Sequence, residues 1–238
     1  MSVDLLAVGA HSDDVELGIG GTIHKLTRHG WKVVILDLTQ AEMSTRGTPA
    51  SRCEEAKRAA AALGVERREN AGLPDAGLVN TPEQRNTIIP FVREFQPKVV
   101  VTLMQNDRHP DHHAAMQLVY DACFLAGLKK IDTGQNPYRP KTFYYFHPYT
   151  EGEKAPSMIV DISEDFEAKL TALKCYESQF HNPDYSGDET YIASRDFWDG
   201  IETRARHWGR QIGVRFGEPL HSHGPVGVAF PPGLGEPS

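Results

Sequence analysis

Leu5-Leu6-Ala7-Val8-Gly9-Ala10-His11-Ser12-Asp13-Asp14-Val15-Glu16 is the stretch that decides the fold of this chain. Its first five residues form the kind of unbroken apolar run that fills a strand buried on both faces. A polar turn follows at once, and a helical stretch from Leu17 to His29 ends at Gly30. A second segment repeats the arrangement: Val99-Val100-Val101-Thr102-Leu103 leads into Arg108-His109-Pro110-Asp111-His112-His113. In an open parallel sheet, ligands bind in the crevice beyond the carboxyl ends of the strands. Both turns, rich in imidazole and carboxylate, therefore open onto the same edge.

Around these segments, strand and helix patterns alternate. Trp31 to Leu38 reads as a second buried strand and Thr39 to Ala50 as a polar loop. An amphipathic helix from Ser51 to Leu63 stops at Gly64, and a short strand spans Val65 to Asn70. After a turn at Leu73-Pro74-Asp75-Ala76-Gly77, a helix from Pro82 to Phe95 is expected to kink at Pro90. The next helix is expected from Ala114 to Leu125. This order implies an α/β, Rossmann-like open sheet, mostly parallel, with helices on both faces. From about Gly134 the pattern changes to strands at Thr142–Phe146 and Met158–Ile162 and helices at Phe166–Tyr176 and Ile192–Trp208. The stretch from Gly213 to Ser238 is rich in Gly and Pro and predicts a surface tail. Residues 1–238 read as one domain, with 218–238 as an extended tail.

Composition narrows the function. A net charge of −7 argues against a general affinity for nucleic acid, which leaves a basic footprint. No apolar run reaches the ~18 residues of a membrane helix. The start, Met1-Ser2-Val3-Asp4, lacks the basic and apolar segments of a signal peptide. Cys53, Cys123 and Cys175 form no Cys-x-x-Cys pair and are expected as reduced core residues. The expectation is a cytoplasmic enzyme with a small-molecule substrate and neither membrane nor nucleic-acid partners.

His11 and Asp14 stand three residues apart at a helix start, a spacing that lets two side chains converge. If the first and fourth strands are neighbours, His112 joins them, giving two imidazoles and one carboxylate. Three protein ligands with an open position is the pattern of catalytic zinc, although iron, cobalt and manganese accept the same donors. Asp13 sits beside the metal as general base. His109 is placed across the substrate to stabilise the oxyanion and protonate the leaving amine, with Asp111 as its orienting partner. Asp13 and Asp14 also suit helix capping, yet two such clusters beyond two buried strands are harder to explain that way. Gly18-Ile19-Gly20-Gly21 lacks the spacing of a dinucleotide loop and fits close helix-to-sheet packing instead.

These two motifs resemble the signature of the LmbE-like (PIG-L) N-acetylglucosamine deacetylases. The likeness extends to Thr45-Arg46-Gly47-Thr48 with Arg52, Leu73-Pro74-Asp75, Tyr176-Glu177-Ser178-Gln179-Phe180 and Tyr191-Ile192. The later pieces look most like the bacillithiol-biosynthesis branch. The resemblance implies zinc on His11, Asp14 and His112, sugar contacts from Arg52 and Asp75, and Tyr191 reaching the oxyanion. It implies Arg108 facing an aglycone carboxylate such as the malate of N-acetylglucosaminyl-malate, and a homo-oligomer, a hexamer in this branch. Read without the resemblance, Arg52 is a solvated charge on an amphipathic helix, and Arg108 a surface residue pairing with Asp107. His221 and His223 read as surface residues, and His24, His29 and His207 as structural ones. Hydrolysis of an N-acetyl group leads. Phosphoester cleavage would need a second metal set, for which Asp107 and Glu16 are the available acids, and a non-catalytic binding module is the third reading.

Overall fold

Strands β1 (Leu5–Gly9), β2 (Val33–Thr39), β3 (Arg67–Leu73), β4 (Val99–Leu103), β5 (Thr142–Phe146), β6 (Met158–Asp161) and β7 (Gly217–Ser222) form one sheet in the order β3-β2-β1-β4-β5-β7-β6. The computed structural model describes residues 2–105, 107–148 and 155–228. β1 through β5 run parallel, and β7 is antiparallel to both of its neighbours. The chain moves outward from β1 to β3, then crosses back to place β4 on the other side of β1. Leu5 pairs with Val33 on one flank and with Val99 on the other. The β1–β4 seam is thus the switch point where a crevice opens.

Among the described residues, six α-helices cover the sheet: α1 (Asp14–Arg28), α2 (Pro49–Ala62), α3 (Pro82–Phe95), α4 (Pro110–Ala126), α5 (Phe166–Lys174) and α6 (Arg195–Gln211). α1 and α2 pack with α5, while α3 packs with α4. The central strands β1, β2 and β4 are almost wholly buried between these layers, as their apolar runs require.

α4 begins at Pro110, four residues before the expected start. Proline suits the first helical position because its missing N–H has no intrahelical partner there anyway. The His109 ring caps the end by accepting the Asp111 backbone N–H. Asp111 and His112 consequently sit on a rigid first turn.

The segment expected as a tail contributes β7, which pairs with β6 through Gly217–Leu220 and with β5 through His221 and Ser222. His221 is accordingly buried rather than at the surface, and its ring meets that of His147 edge-on at 5.3 Å. His223 stacks on Tyr120, and its Nδ1 lies 2.6 Å from Tyr145 Oη. Cys123 is buried as expected, but Cys53 is exposed and Cys175 only partly covered, because their helices turn those positions outward.

α1 is broken rather than straight. Ile19 leaves the helical region at φ −140°, ψ 23°, which strands backbone groups on both sides of the break. Glu218 on β7 accepts the N–H groups of Gly21 and Thr22 and the Thr22 hydroxyl. Lys169 on α5 donates to the Leu17 carbonyl and to Glu218. A buried ion pair therefore supplies the hydrogen bonds that the break removes. The glycines around it serve close approach: a Cβ on Gly18 would overlap the Phe146 ring, and one on Gly21 would come within 2.8 Å of Ile162.

Candidate active site

The loop after β1 and the first turn of α4 meet above the β1–β4 seam. His112 Nε2 lies 3.0 Å from Asp14 Oδ1, and His11 Nδ1 lies 3.6 Å from Asp14 Oδ2. The other nitrogen of each ring faces an outer carboxylate: His11 Nε2 is 3.0 Å from Asp75 Oδ1, and His112 Nδ1 is 3.0 Å from Asp107 Oδ1. Metal-ligating histidines are oriented in this way by outer carboxylates. Asp14 Oδ1 is buried, touches the His112 ring and accepts no other hydrogen bond among the described residues. Two ring nitrogens and a carboxylate converging with a buried acceptor to spare fit a divalent metal of borderline softness.

Electrostatics agree. Burial alone would raise the Asp14 pKa, but the His112 and His11 rings outweigh it and hold the carboxyl well below the usual range. Burial alone would lower the His112 pKa, yet Asp14 and Asp107 bring it up to about 9. Protons and a divalent cation thus compete for the same groups.

Asp13 occupies the cap position of α1, but its side chain caps nothing. Its Oδ2 instead accepts from Arg52 Nη2 at 3.2 Å, with both side chains buried. Burial raises the Asp13 pKa, and Arg52 only partly offsets this. Arg52 also faces the Ser12 hydroxyl, so it is no solvated surface charge.

His109 stands with His11 and His112, since a nitrogen of each of the three rings lies within 4.8 Å of the others. Its pKa is lowered by burial and by the neighbouring His11 and His112. The Asp111 carboxylate does not orient it. That carboxylate accepts the Ala76 and Leu78 N–H groups and sits 3.4 Å from His11 Nε2. The helix start explains the difference: with Asp111 in the first turn of α4, its backbone N–H, not its carboxylate, meets His109 Nδ1. A neutral His109 with Nδ1 accepting keeps its proton on Nε2. Asp75 also differs from expectation, because the turn it sits in packs it onto His11, which holds its pKa down at about 2 against the effect of burial.

A scan against family models matches residues 6–123 to PIG-L, the GlcNAc-PI de-N-acetylase family. The diacetylchitobiose deacetylase of Thermococcus kodakarensis is 32% identical over 97% of this chain and 84% of its own length. The chain belongs to the PIG-L family. The solved structure of the conserved protein TT1542 from Thermus thermophilus superposes with a TM-score of 0.85 at 37% identity, covering 95% of this chain and 97% of that one. A probable N-acetyl-α-D-glucosaminyl L-malate deacetylase of Bacillus cereus is 28% identical over 75% of this chain and 84% of its own length.

In this PIG-L chain, His11, Asp13, Arg52, Asp75, Arg108 and His109 face a cleft of about 290 Å³. Arg108 stacks its guanidinium 4.2 Å over the Tyr191 ring, and Tyr191 is 57% exposed on the far lip. Arg108 is exposed, and its guanidinium engages Tyr191 across the cleft mouth. Asp107 was not foreseen as a support for His112. The signal was an acid just beyond the strand and five residues before His112. Glu16 is buried against Arg68 and the Tyr176 hydroxyl, and Arg68 also grips Asp37 through two hydrogen bonds. Glu16 is bound to Arg68 and Asp107 to His112, so each is tied to a separate partner.

Proposed function

We propose that this chain hydrolyses the N-acetyl group of an N-acetylglucosamine conjugate, releasing acetate and a free amine. The observation that carries the reading is the convergence of a carboxylate base and an imidazole N–H donor on one His-His-Asp cluster beside a single cleft. His11, Asp14 and His112 would hold the metal, zinc being the ion their donors suit best, with Asp107 and Asp75 orienting the two rings. A divalent ion there supplies Lewis acidity toward water and the amide carbonyl. Asp13, desolvated and held by Arg52, takes the proton of the attacking water. Its raised pKa makes it a stronger base than an exposed carboxylate. His109, with its proton on Nε2, faces the opposite side and donates that N–H to the developing oxyanion, while the proton Asp13 took from water passes to the departing amine. Tyr191 and Arg108 form the outer lip and are placed to meet the rest of the substrate.

For the group attached to the sugar, Arg108 supports a carboxylate such as malate. The similarity to the diacetylchitobiose deacetylase supports a second sugar, and we favour that substrate. No helix among the described residues is long and apolar enough to cross a membrane. A cytoplasmic homohexamer is part of this proposal, and sedimentation tests the assembly. The deciding experiment measures acetate released from N,N'-diacetylchitobiose and N-acetylglucosaminyl-malate, with chelator and with zinc returned. Acetate release from either, lost with chelator and restored by zinc, is expected. No acetate from any N-acetylglucosamine compound sinks the reading.

A further inference from the structure

We propose that Arg46 is a positioning residue for the reaction. It latches the segment that leads to Tyr191 onto the wall of the catalytic cleft, and so sets the lip that meets the substrate. This deepens the deacetylase reading and rests on it. Two stretches that the chemistry above leaves unused, Thr45–Thr48 and Tyr176–Phe180, are bonded to each other. The Arg46 carbonyl accepts from Ser44 Oγ at 2.9 Å and from Gln179 Nε2 at 2.7 Å, and Arg46 Nε donates to the Ser178 carbonyl at 2.6 Å. Ser44, Thr45 and Gln179 line the cleft. Glu55 of α2 takes the Ser178 N–H and hydroxyl, each at 2.8 Å. It follows Arg52 on the same buried helix face, so the helix that holds Asp13 also anchors the latch. Gly47 permits the close approach: its φ is +77°, and a Cβ there would come within 2.8 Å of Ser178 Oγ.

From this anchor Arg46 reaches a segment with little else to hold it. Residues 181–190 form neither helix nor strand and are mostly exposed. Arg46 Nη1 donates to the Asp188 carbonyl at 3.3 Å, and its guanidinium lies 4.2 Å over the Tyr185 ring. The Gly47 N–H donates to Tyr185 Oη at 3.0 Å. Two residues beyond Asp188 the chain enters the cleft wall as Thr190, Tyr191 and Ile192. Tyr191 is then met only by other side chains, its ring 5.2 Å from that of Phe197 and under the Arg108 guanidinium. Its place along the cleft therefore follows from where Asp188 is tied.

The energetics argue for position rather than stability. Arg46 is 6% exposed, yet it makes no ion pair among the described residues, and its buried Nη2 has no acceptor there. A buried cation without a counter-charge and with an idle donor costs stability. An apolar side chain would fill the space at lower cost, but it could not hold Ser178 and Asp188 at once as a planar fork does. What the arginine adds is the tie between two walls of the cleft.

The test uses Arg46→Gln, and Tyr185→Leu to release the same tie from the exposed side, away from the core. KM and kcat for acetate release from N,N'-diacetylchitobiose are measured for each, alone and combined with Tyr191→Ala. Either variant alone should raise KM, Arg46→Gln by about tenfold, the size of one lost contact, with kcat held within about twofold. Combined with Tyr191→Ala, each should change KM by less than about twofold, because the lip it sets is already gone. Hydrogen exchange gives a readout independent of turnover. Amides of residues 184–190 should exchange faster in both variants while those of β1 and β4 keep their protection. KM losses that multiply in the double mutants overturn the proposal, as does unchanged exchange at 184–190. If no N-acetylglucosamine compound yields acetate, the deacetylase reading has failed on its own, and the exchange of 184–190 alone decides whether Arg46 is the latch.

Discussion

Glu218→Gln should be one of the most destabilising single changes in this protein, although the site lies in a segment that reads as tail. The carboxylate accepts four hydrogen bonds: from Gly21 N at 3.0 Å, Thr22 N at 2.7 Å, Thr22 Oγ1 at 2.6 Å and Lys169 Nζ at 2.6 Å. Glutamine keeps the shape but has one acceptor oxygen, so an NH2 must face donors that previously met oxygen. Lys169, buried and with its pKa already lowered by desolvation, loses its counter-charge. Removing one partner of a buried pair costs about 3–5 kcal/mol. Set against a total of about 5–15 kcal/mol for a domain, the variant still folds but with much reduced stability. Urea unfolding at constant m-value reads the difference. Adding Lys169→Met should recover part of the loss, because it removes the stranded charge, so the double mutant falls short of the sum of the singles. A loss below about 1 kcal/mol for Glu218→Gln, or strict additivity, would refute the idea that this pair holds the break in α1 together.

Asp13→Asn should keep bound metal, measured by elemental analysis, and lose about 10²–10⁴-fold in acetate release, the usual contribution of a general base. Turnover near wild type would remove Asp13 from that role. Asp107→Asn should weaken metal affinity about 10–100-fold, the range for loss of an outer carboxylate, read by competition with a chromophoric chelator. His147 gives a pH prediction. Burial and the neighbouring His221 lower its pKa to about 4, so between pH 6.5 and 4 the unfolded chain binds the proton that the folded one refuses. Stability should therefore fall as pH drops through that window, and His147→Gln should flatten the decline in a paired set of urea curves. Parallel curves for the two proteins would count against it.

The parallel half of the sheet was legible because β1, β2 and β4 are continuous apolar runs, and such runs are buried on both faces whatever their neighbours do. Val99–Leu103 and Pro82–Phe95 match the expected limits at both ends. β7 was not legible. Gly217-Glu218-Pro219 carries a glycine, an acid and a proline, three features that argue against a strand between two others. The ladder with β5 covers only His221 and Ser222, so at Pro219 the strand has a neighbour on one side alone. Glu218 is buried because it answers a helix break that no local pattern announces. That His11, Asp14 and His112 would meet at the β1–β4 seam was legible from spacing beyond two strand ends. The roles of Asp75 and Asp111 depended on where α4 begins and how a turn packs, and these are tertiary facts.

The first turn of α1 places Asp13, Asp14 and Glu16 within four residues, all three buried. Like charges so close repel strongly away from water. The fold answers each with a cation from a different element. Arg52 of α2 meets Asp13, His11 and His112 meet Asp14, and Arg68 of β3 meets Glu16. Only the Asp14 set combines ring nitrogens and a spare oxygen that an ion could share. The other two pairs are arginine–carboxylate contacts that keep Asp13 and Glu16 from competing for it. Arg52→Ala should then cost activity nearly as much as Asp13→Asn, since it frees the base from its position. Because the two residues act as one unit, Arg52→Ala combined with Asp13→Asn should be little worse than either alone. If the losses in kcat/KM for acetate release multiply instead, Arg52 works on the substrate independently, and the partition of charges around this turn would need another explanation.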